Sequence, residues 1–90
     1  MKFEWDNSKA LENLRKHGVS FHEAASIFGD PLAVSYPDPE HSIAEHRYLT
    51  FGQSSKARLL VVSHTDRGDR IRVVSTREMT RKERIDYEQT

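Results

Sequence analysis

Three arginines near the C-terminal end of the sequence have the spacing for binding an anion. Arg72 lies in a predicted strand, Arg77 follows that strand, and Arg81 begins a predicted helix. Guanidinium groups bind phosphate oxygens in forked pairs and stay charged at any cellular pH. The free N–H groups at the start of the helix, near Thr80, also favour an anion. We therefore predict a phosphodiester-binding site where this strand meets this helix.

The charge distribution is uneven although the formal net charge is zero. The segment 23–45 holds five acids and no lysine or arginine, whereas the segment 70–84 holds six bases and two acids, a net charge of +4. A local positive field steers anionic ligands whatever the total charge. The alternative is that Arg77, Arg81 and Arg84 pair with nearby glutamates as solvated surface charges.

Histidine suits the proton steps that cleavage of RNA without a metal requires, because its unperturbed pKa lies near neutrality. His64 ends a predicted central strand, and His17 ends the first predicted helix. Each is a candidate proton shuttle, and for each the alternative is a structural or merely exposed histidine. Tyr48 and Tyr87 carry phenols that suit proton donation or stacking on a base.

Capping residues predict the helices that must position these groups. Asp6 caps a helix over residues 7–17, which Gly18 ends. Ser20 and Glu23 form a capping box that begins a helix over 21–28. Thr80 and Glu83 form a second capping box for a helix that ends near residue 88.

Hydrophobic patterns predict the strands between these helices. They lie over residues 32–36, 45–51, 58–64 and 70–76, with short connections after the second and third that favour antiparallel hairpins. Phe3 to Trp5 is a possible additional edge strand. The predicted fold class is α+β, in the order α-α-β-β-β-β-α, with a small antiparallel sheet.

Length and composition narrow the function classes. The chain has 90 residues, which suits a single domain, and no cysteine, which excludes disulfides and thiolate metal sites. Its five histidines lack the paired spacing of a zinc motif, so we predict no metal and no other cofactor. The sequence lacks both an 18-residue apolar run and a signal-peptide pattern, which indicates a cytoplasmic protein without membrane contact.

The order of motifs along almost the whole chain resembles the BrnT family of type II toxins. The matching residues are Trp5-Asp6, Lys9, Asn13, Lys16-His17-Gly18-Val19-Ser20-Phe21, Glu23-Ala24, Phe28, Arg47, Gly52, Val61-Val62, Ile71-Arg72-Val73-Val74-Ser75-Thr76-Arg77, Thr80, Glu83-Arg84 and Tyr87-Glu88. The sequence differs from the family pattern at Thr76 and Met79, where alanine is more usual.

The resemblance implies a RelE-like fold, which agrees with the order of predicted elements, and a single BrnT-like domain over residues 1–90. It also implies a ribonuclease that inhibits translation. The implied partner is a BrnA-type antitoxin with a ribbon-helix-helix DNA-binding domain, through which alone the toxin would reach operator DNA. The recurring polar positions of the family fall on Lys16, His17, Arg47, Arg72, Ser75, Arg77, Glu83 and Arg84.

Residue chemistry and resemblance together lead to one principal hypothesis, a metal-independent endoribonuclease. Its catalytic candidates are His64, His17, Arg77 and Arg81, and its RNA-binding candidates are Lys16, Arg47, Arg72, Arg84 and Tyr87. Two alternatives are a noncatalytic module that binds nucleic acid or the antitoxin, and an inactive structural relative.

Overall fold

The first helix begins and ends where its capping residues predict. The computed structural model describes residues 1–42 and 45–89. Helix α1 spans Asn7–His17, the Asp6 carboxylate accepts a hydrogen bond from Lys9 N at 3.1 Å, and Gly18 ends the helix with a φ of 68°. A positive φ is accessible to glycine without steric cost, so Gly18 allows the chain to turn directly into the next helix.

The second helix is shorter than predicted, and one half of its capping box is absent. Helix α2 spans Phe21–Ser26 and continues as a 3₁₀ turn over Ile27–Gly29, so the predicted range 21–28 is wrong at its C-terminal end. Ser20 accepts from Glu23 N, but the Glu23 side chain is buried and binds Ser54 and Arg58 instead. The missing half of the capping box has a long-range cause, because Arg58, which binds the Glu23 side chain, lies 35 residues away in the sequence.

Five strands form one sheet in the order β1-β5-β4-β3-β2. They are β1 Lys2–Glu4, β2 Val34–Pro37, β3 Arg47–Gln53, β4 Leu59–Arg67 and β5 Arg70–Glu78. The predicted hairpins β3–β4 and β4–β5 are confirmed as antiparallel. The α+β class is confirmed, and the possible edge strand at Phe3 to Trp5 is present as β1, one residue earlier. Because β1 pairs parallel with β5, the sheet is mixed rather than antiparallel. Phe3 packs against the core and anchors this short strand.

Helices α1 and α2 cover one face of the sheet and enclose the core. The fully buried cluster consists of Val19, Phe21, Ala24, Ile27, Leu60, Val62 and Val73. The side chain of Asn13 joins α1 to the sheet: its Nδ2 donates to Val19 O at 3.0 Å and Thr76 O at 2.9 Å, while its Oδ1 accepts from Thr76 N at 3.0 Å.

The C-terminal helix, α3, spans Arg81–Glu88 and begins with the predicted capping box. Thr80 accepts from Glu83 N at 3.2 Å, and Glu83 accepts from Thr80 N at 2.8 Å. Near its other end, the Tyr87 hydroxyl donates to Asp30 at 2.8 Å. Residues of α3 line a groove together with Val34 and Tyr36 of β2 and Leu49 and Phe51 of β3, so α3 lies on the sheet face opposite α1 and α2.

Candidate functional site

The sheet face opposite α1 and α2 collects polar side chains, and we call it the open face. Alternation along the strands assigns residues to it, and a β-bulge in β5, opposite Ser63 and His64, brings Arg72 and Arg77 onto this same face although they are five residues apart. Cross-strand pairing then arranges them in three rows: Arg47, Thr65 and Arg72; Tyr36, Leu49, Ser63 and Ser75; and Val34, Phe51, Val61 and Arg77. Helix α3 lies beside the third row. Five arginines therefore share one face, because Arg70 alternates with Arg72 along β5 and pairs with Arg67 of β4 beyond the first row.

The first row places Arg47 and Arg72 on either side of Thr65. The usual spacing between neighbouring strands puts the backbones of these two arginines about 10 Å apart. Arg72 Nη1 donates to Glu4 Oε2 at 3.0 Å, which draws that guanidinium towards β1. Arg47 is half-buried, and none of the carboxylates in residues 1–42 and 45–89 forms an ion pair with it. Arg47 is thus the arginine of this row whose charge is not already neutralised.

Arg77 lies at the opposite end of the open face and is paired with Glu83 of α3. Its Nη1 and Nη2 donate to the two carboxylate oxygens of Glu83 at 2.7 and 3.1 Å. This contact lowers the pKa of Glu83 to about 2, helped by the hydrogen bond from Thr80 N. The same contact raises the pKa of Arg77. The pair therefore stays charged at neutral pH and holds α3 beside the sheet.

Two hydroxyls lie between the arginines, because Ser63 of β4 and Ser75 of β5 face each other in the middle row. Ser75 is exposed and Ser63 is half-buried. With guanidinium groups at both ends and hydroxyls between them, the open face offers hydrogen-bond donors along its length. Such donors suit an extended polyanion better than a single small anion.

A groove of about 390 Å³ runs between α3 and the edge of the open face. It is lined by Val34, Tyr36, Leu49, Phe51, Glu83, Asp86 and Tyr87. The Tyr87 phenol has a pKa raised to about 12 by burial and by the Asp30 carboxylate, so it stays protonated at neutral pH. The predicted RNA-binding residue Tyr87 thus lies at this groove, with its hydroxyl directed to Asp30.

His64, predicted as a proton shuttle, lies under the helices on the other face of the sheet. It is 4% exposed, its ring is 4.9 Å from that of Phe28, and its Nε2 lies 2.7 Å from the Thr50 hydroxyl. Burial lowers its pKa, although Asp66 is 3.5 Å from Nδ1 and opposes this shift. The structure therefore separates His64 from Arg72 and Arg77 by the thickness of the sheet.

The other predicted residues also lie away from the open face. His17 and Lys16 occupy the last turn of α1, on the helix-covered side, and Lys16 pairs with Glu12 at 3.6 Å. In α3, the groove-lining positions 83, 86 and 87 share one side of the helix, so helical spacing directs Arg81 away from it. Arg84 is exposed on the flank of the same helix. The predicted convergence of Arg72, Arg77 and Arg81 is wrong, because Arg81 lies away from the groove and Arg72 and Arg77 lie at opposite ends of the open face.

Sequence analysis also missed residues of the open face. Glu4, Ser63 and the rings of Tyr36 and Phe51 were not candidates. For Ser63 the signal was present, because its alternation with Val62 and His64 places it on the face opposite the core. Glu4 carried no local signal, since its position beside Arg72 depends on the parallel pairing of β1 with β5.

The described residues offer neither a metal-binding cluster nor a membrane span. No group of three or more histidines, cysteines or acidic residues in residues 1–42 and 45–89 has the arrangement to hold a metal ion. Within the same residues, every helix is too short or too polar to span a membrane.

Comparison with known families matches the description "Ribonuclease toxin, BrnT, of type II toxin-antitoxin system" over residues 5–83. The chain belongs to the BrnT toxin family. It is therefore a ribonuclease toxin of a type II toxin–antitoxin system, and this membership implies an antitoxin partner and an RNA target.

A solved BrnT structure has the same fold. The crystal structure of the Brucella abortus ribonuclease toxin BrnT superposes with a TM-score of 0.70 at 24% sequence identity, covering 90% of this chain and 99% of that chain. At this identity the likeness concerns the fold alone. No match is found among curated proteins.

Proposed function

We propose that this BrnT toxin is a metal-independent endoribonuclease that binds single-stranded RNA across its open face. The observation that supports this most is the presence of Arg47, Arg72 and Arg77 on one face with serine hydroxyls between them. By strand rise, Arg72 and Arg77 are about 16 Å apart along β5. Because Glu4 and Glu83 draw them in different directions, they contact separate phosphates of the strand rather than clamping a single one.

Cleavage proceeds by attack of the RNA 2′-oxygen on the adjacent phosphorus. The P–O5′ bond breaks, and the products are a 2′,3′-cyclic phosphate and a 5′-hydroxyl that takes its proton from water. Arg47 and Arg72 stabilise the charge that develops on the phosphoryl oxygens, since both stay protonated throughout. No step of this reaction requires a metal ion.

Glu4 accepts the proton from the 2′-hydroxyl. On the open face, Glu4 lies beside Arg72 and Glu83 lies beside Arg77, and these two carboxylates are candidates for the base. Glu83 is fully engaged by Arg77 and Thr80, and its pKa of about 2 makes it a poor base. Glu4 holds Arg72 through one oxygen at 3.0 Å, while its other oxygen lies 3.9 Å from Arg70. His64 and His17 have no part in this proposal because they lie on the other side of the sheet.

The test is the chemistry of the products. Purified toxin is incubated with RNA and a chelator, and the ends of the fragments are analysed. We expect cyclic phosphate ends, no cleavage of a strand with 2′-deoxyribose at the scissile position, and a loss of about 100-fold in rate for Glu4→Gln. Cleavage that stops in chelator, or that proceeds at the deoxy position, contradicts the mechanism.

The proposal extends to the antitoxin and the site of action. A BrnA-type antitoxin with a ribbon-helix-helix domain covers the open face, and the toxin reaches operator DNA only through it. The toxin acts in the cytoplasm, where its RNA targets are. The antitoxin should compete with RNA and should protect Arg47 and Ser75 from solvent in footprinting of the complex. If the solvent accessibility of these two residues is the same with and without the antitoxin, the antitoxin does not cover the open face.

A noncatalytic binding module is the second candidate. It is favoured by one observation, that Arg72 and Arg77 are already paired with carboxylates. This candidate predicts binding of RNA or antitoxin without any cleavage products at high toxin concentration. Analysis of the RNA products therefore separates the two functions.

A further inference from the structure

We infer that the groove between α3 and the open face is a binding site for one RNA base, with a preference for bases that carry an amino group. This inference rests on the proposed function and adds to it the recognition of the base beside the bound phosphates. The base groove is defined as the space lined by Val34, Tyr36, Leu49, Phe51, Glu83, Asp86 and Tyr87.

The position of the base groove connects it to the arginines. Glu83 both lines the groove and holds Arg77, so the groove begins directly beside one of the proposed phosphate contacts. Tyr36 and Leu49 lie in the same cross-strand row as Ser63 and Ser75. An RNA strand that crosses the open face therefore passes the entrance of the groove, where one base can turn in.

The walls of the base groove suit a planar ring. Tyr36 and Phe51 come from the sheet, with ring centres 5.9 Å apart, and Tyr87 comes from α3. Tyr36 is 49% exposed, so its ring is accessible to a ligand. Bases stack on aromatic side chains whatever their sequence, and each such contact contributes substantially to binding. The volume of about 390 Å³ lies near the lower end for small-ligand sites, which fits one base better than a docked helix.

The polar lining of the base groove indicates which bases fit best. Glu83 is occupied by Arg77 and Thr80. Among residues 1–42 and 45–89, the Asp86 carboxylate contacts Lys82, four residues earlier in α3, at 3.4 Å. A carboxylate can only accept hydrogen bonds. Adenine, cytosine and guanine each present an amino group, whereas uracil presents carbonyl oxygens on both sides of its one N–H. Asp86 therefore favours amino-bearing bases over uracil.

The experiment measures the affinity of the whole toxin for dye-labelled, uncleavable 2′-O-methyl pentanucleotides by fluorescence anisotropy. Tyr36→Ala should weaken binding of the adenosine and cytidine oligomers about ten-fold, and Tyr36→Phe, which keeps the ring, should not. Neither change should affect an oligomer that lacks bases. Asp86→Asn should reduce the preference for cytidine over uridine.

A second variant that fills the base groove tests the inference even if Tyr36→Ala loses its structure. Val34→Trp occupies the base groove from the edge strand, and it should weaken oligomer binding while the melting temperature stays near that of the wild type. If Val34→Trp and Tyr36→Ala both bind RNA like the wild type, the base groove is not an RNA site. The same conclusion follows if they weaken binding of the antitoxin alone.

Arg47→Ala separates this inference from the proposed function. If Arg47→Ala weakens binding and the groove variants do not, the open face binds RNA but the base groove does not hold a base. If the wild type binds none of the oligomers, both proposals fail.

Discussion

Arginines on the same face of this toxin have different partners, and the partners decide what substitution will do. Arg77 is joined to Glu83 through both oxygens, so its removal would disturb α3 as well as any phosphate contact. Arg47 forms no ion pair within residues 1–42 and 45–89. The alternative prediction that Arg77 pairs with a nearby glutamate is confirmed by its contact with Glu83, six residues away. The partner of Arg72 could not be predicted, because Glu4 and Arg72 are 68 residues apart.

His64 should be dispensable for cleavage. Because it is buried on the helix side of the sheet, His64→Asn should leave the cleavage rate of folded toxin within about three-fold of the wild type. The change should lower stability by about 1–3 kcal/mol, since it disturbs packing with Phe28 and the hydrogen bond to Thr50. A loss of about 100-fold or more in rate, with the fold intact, would restore the catalytic role that sequence analysis assigned to it.

Glu83 should contribute to loss of stability in acid. Its pKa is about 2 in the folded protein and near 4.5 when unfolded, so the unfolded state binds the proton first as the pH falls. Its stabilising contribution is present above about pH 4.5 and is lost as the pH falls towards 2. In urea titrations between pH 7 and 2, Glu83→Gln should show a smaller drop in unfolding free energy than the wild type. An equal drop would mean that the Arg77 contact is not formed in solution.

Among the helices and strands, local signals predicted the helix ends, whereas long-range contacts determined the edge strand β1 and the composition of the open face. Asp6, Gly18 and Thr80 act within one helical turn, so their caps could be found from sequence. The possible edge strand at Phe3 to Trp5 is present as β1 over Lys2–Glu4, but its parallel pairing with β5 could not be predicted from a three-residue pattern. For the same reason, the open face could be predicted only in part. Alternation identifies Ser63, but the β-bulge that places Arg72 on the same face as Arg77 and the pairing that brings Glu4 beside Arg72 both depend on long-range contacts.

Asn13 should be essential for joining α1 to the sheet. Its amide makes three buried hydrogen bonds to the backbone of Val19 and Thr76, so Asn13→Ala should lower the unfolding free energy by at least about 2 kcal/mol. Asn13→Asp keeps the shape but turns the Nδ2 donor into an acceptor facing two carbonyls, and should be at least as damaging. Chemical denaturation measures both. Wild-type stability for Asn13→Asp would show that this network is not formed.

The whole molecule combines zero net charge with a face that carries five arginines. The net charge alone does not indicate a polyanionic partner, whereas the uneven distribution along the chain predicts a basic segment. The fold adds what the distribution could not: acidic Glu4 and Glu83 lie among these arginines and moderate the field. Arg15, by contrast, is an exposed arginine on α1, on the other side of the molecule.

The salt dependence of RNA binding should reflect these few contacts. Three phosphate contacts predict a slope of about −2 in a plot of log affinity against log salt concentration for single-stranded RNA. Arg47→Ala should make the slope shallower by about 0.7, because one contact is lost. Affinity of the wild type that does not change with salt would contradict binding through these arginines.

The most direct test of the central claim, that the open face is the ribonuclease site, compares RNA cleavage in chelator by the wild type, Arg47→Ala and Arg15→Ala. Both variants remove one arginine, but from opposite sides of the molecule. We predict that Arg47→Ala lowers kcat/KM at least about ten-fold without changing the melting temperature, and that Arg15→Ala cleaves at the wild-type rate. Wild-type cleavage by Arg47→Ala, or an equal loss in Arg15→Ala, would contradict this assignment.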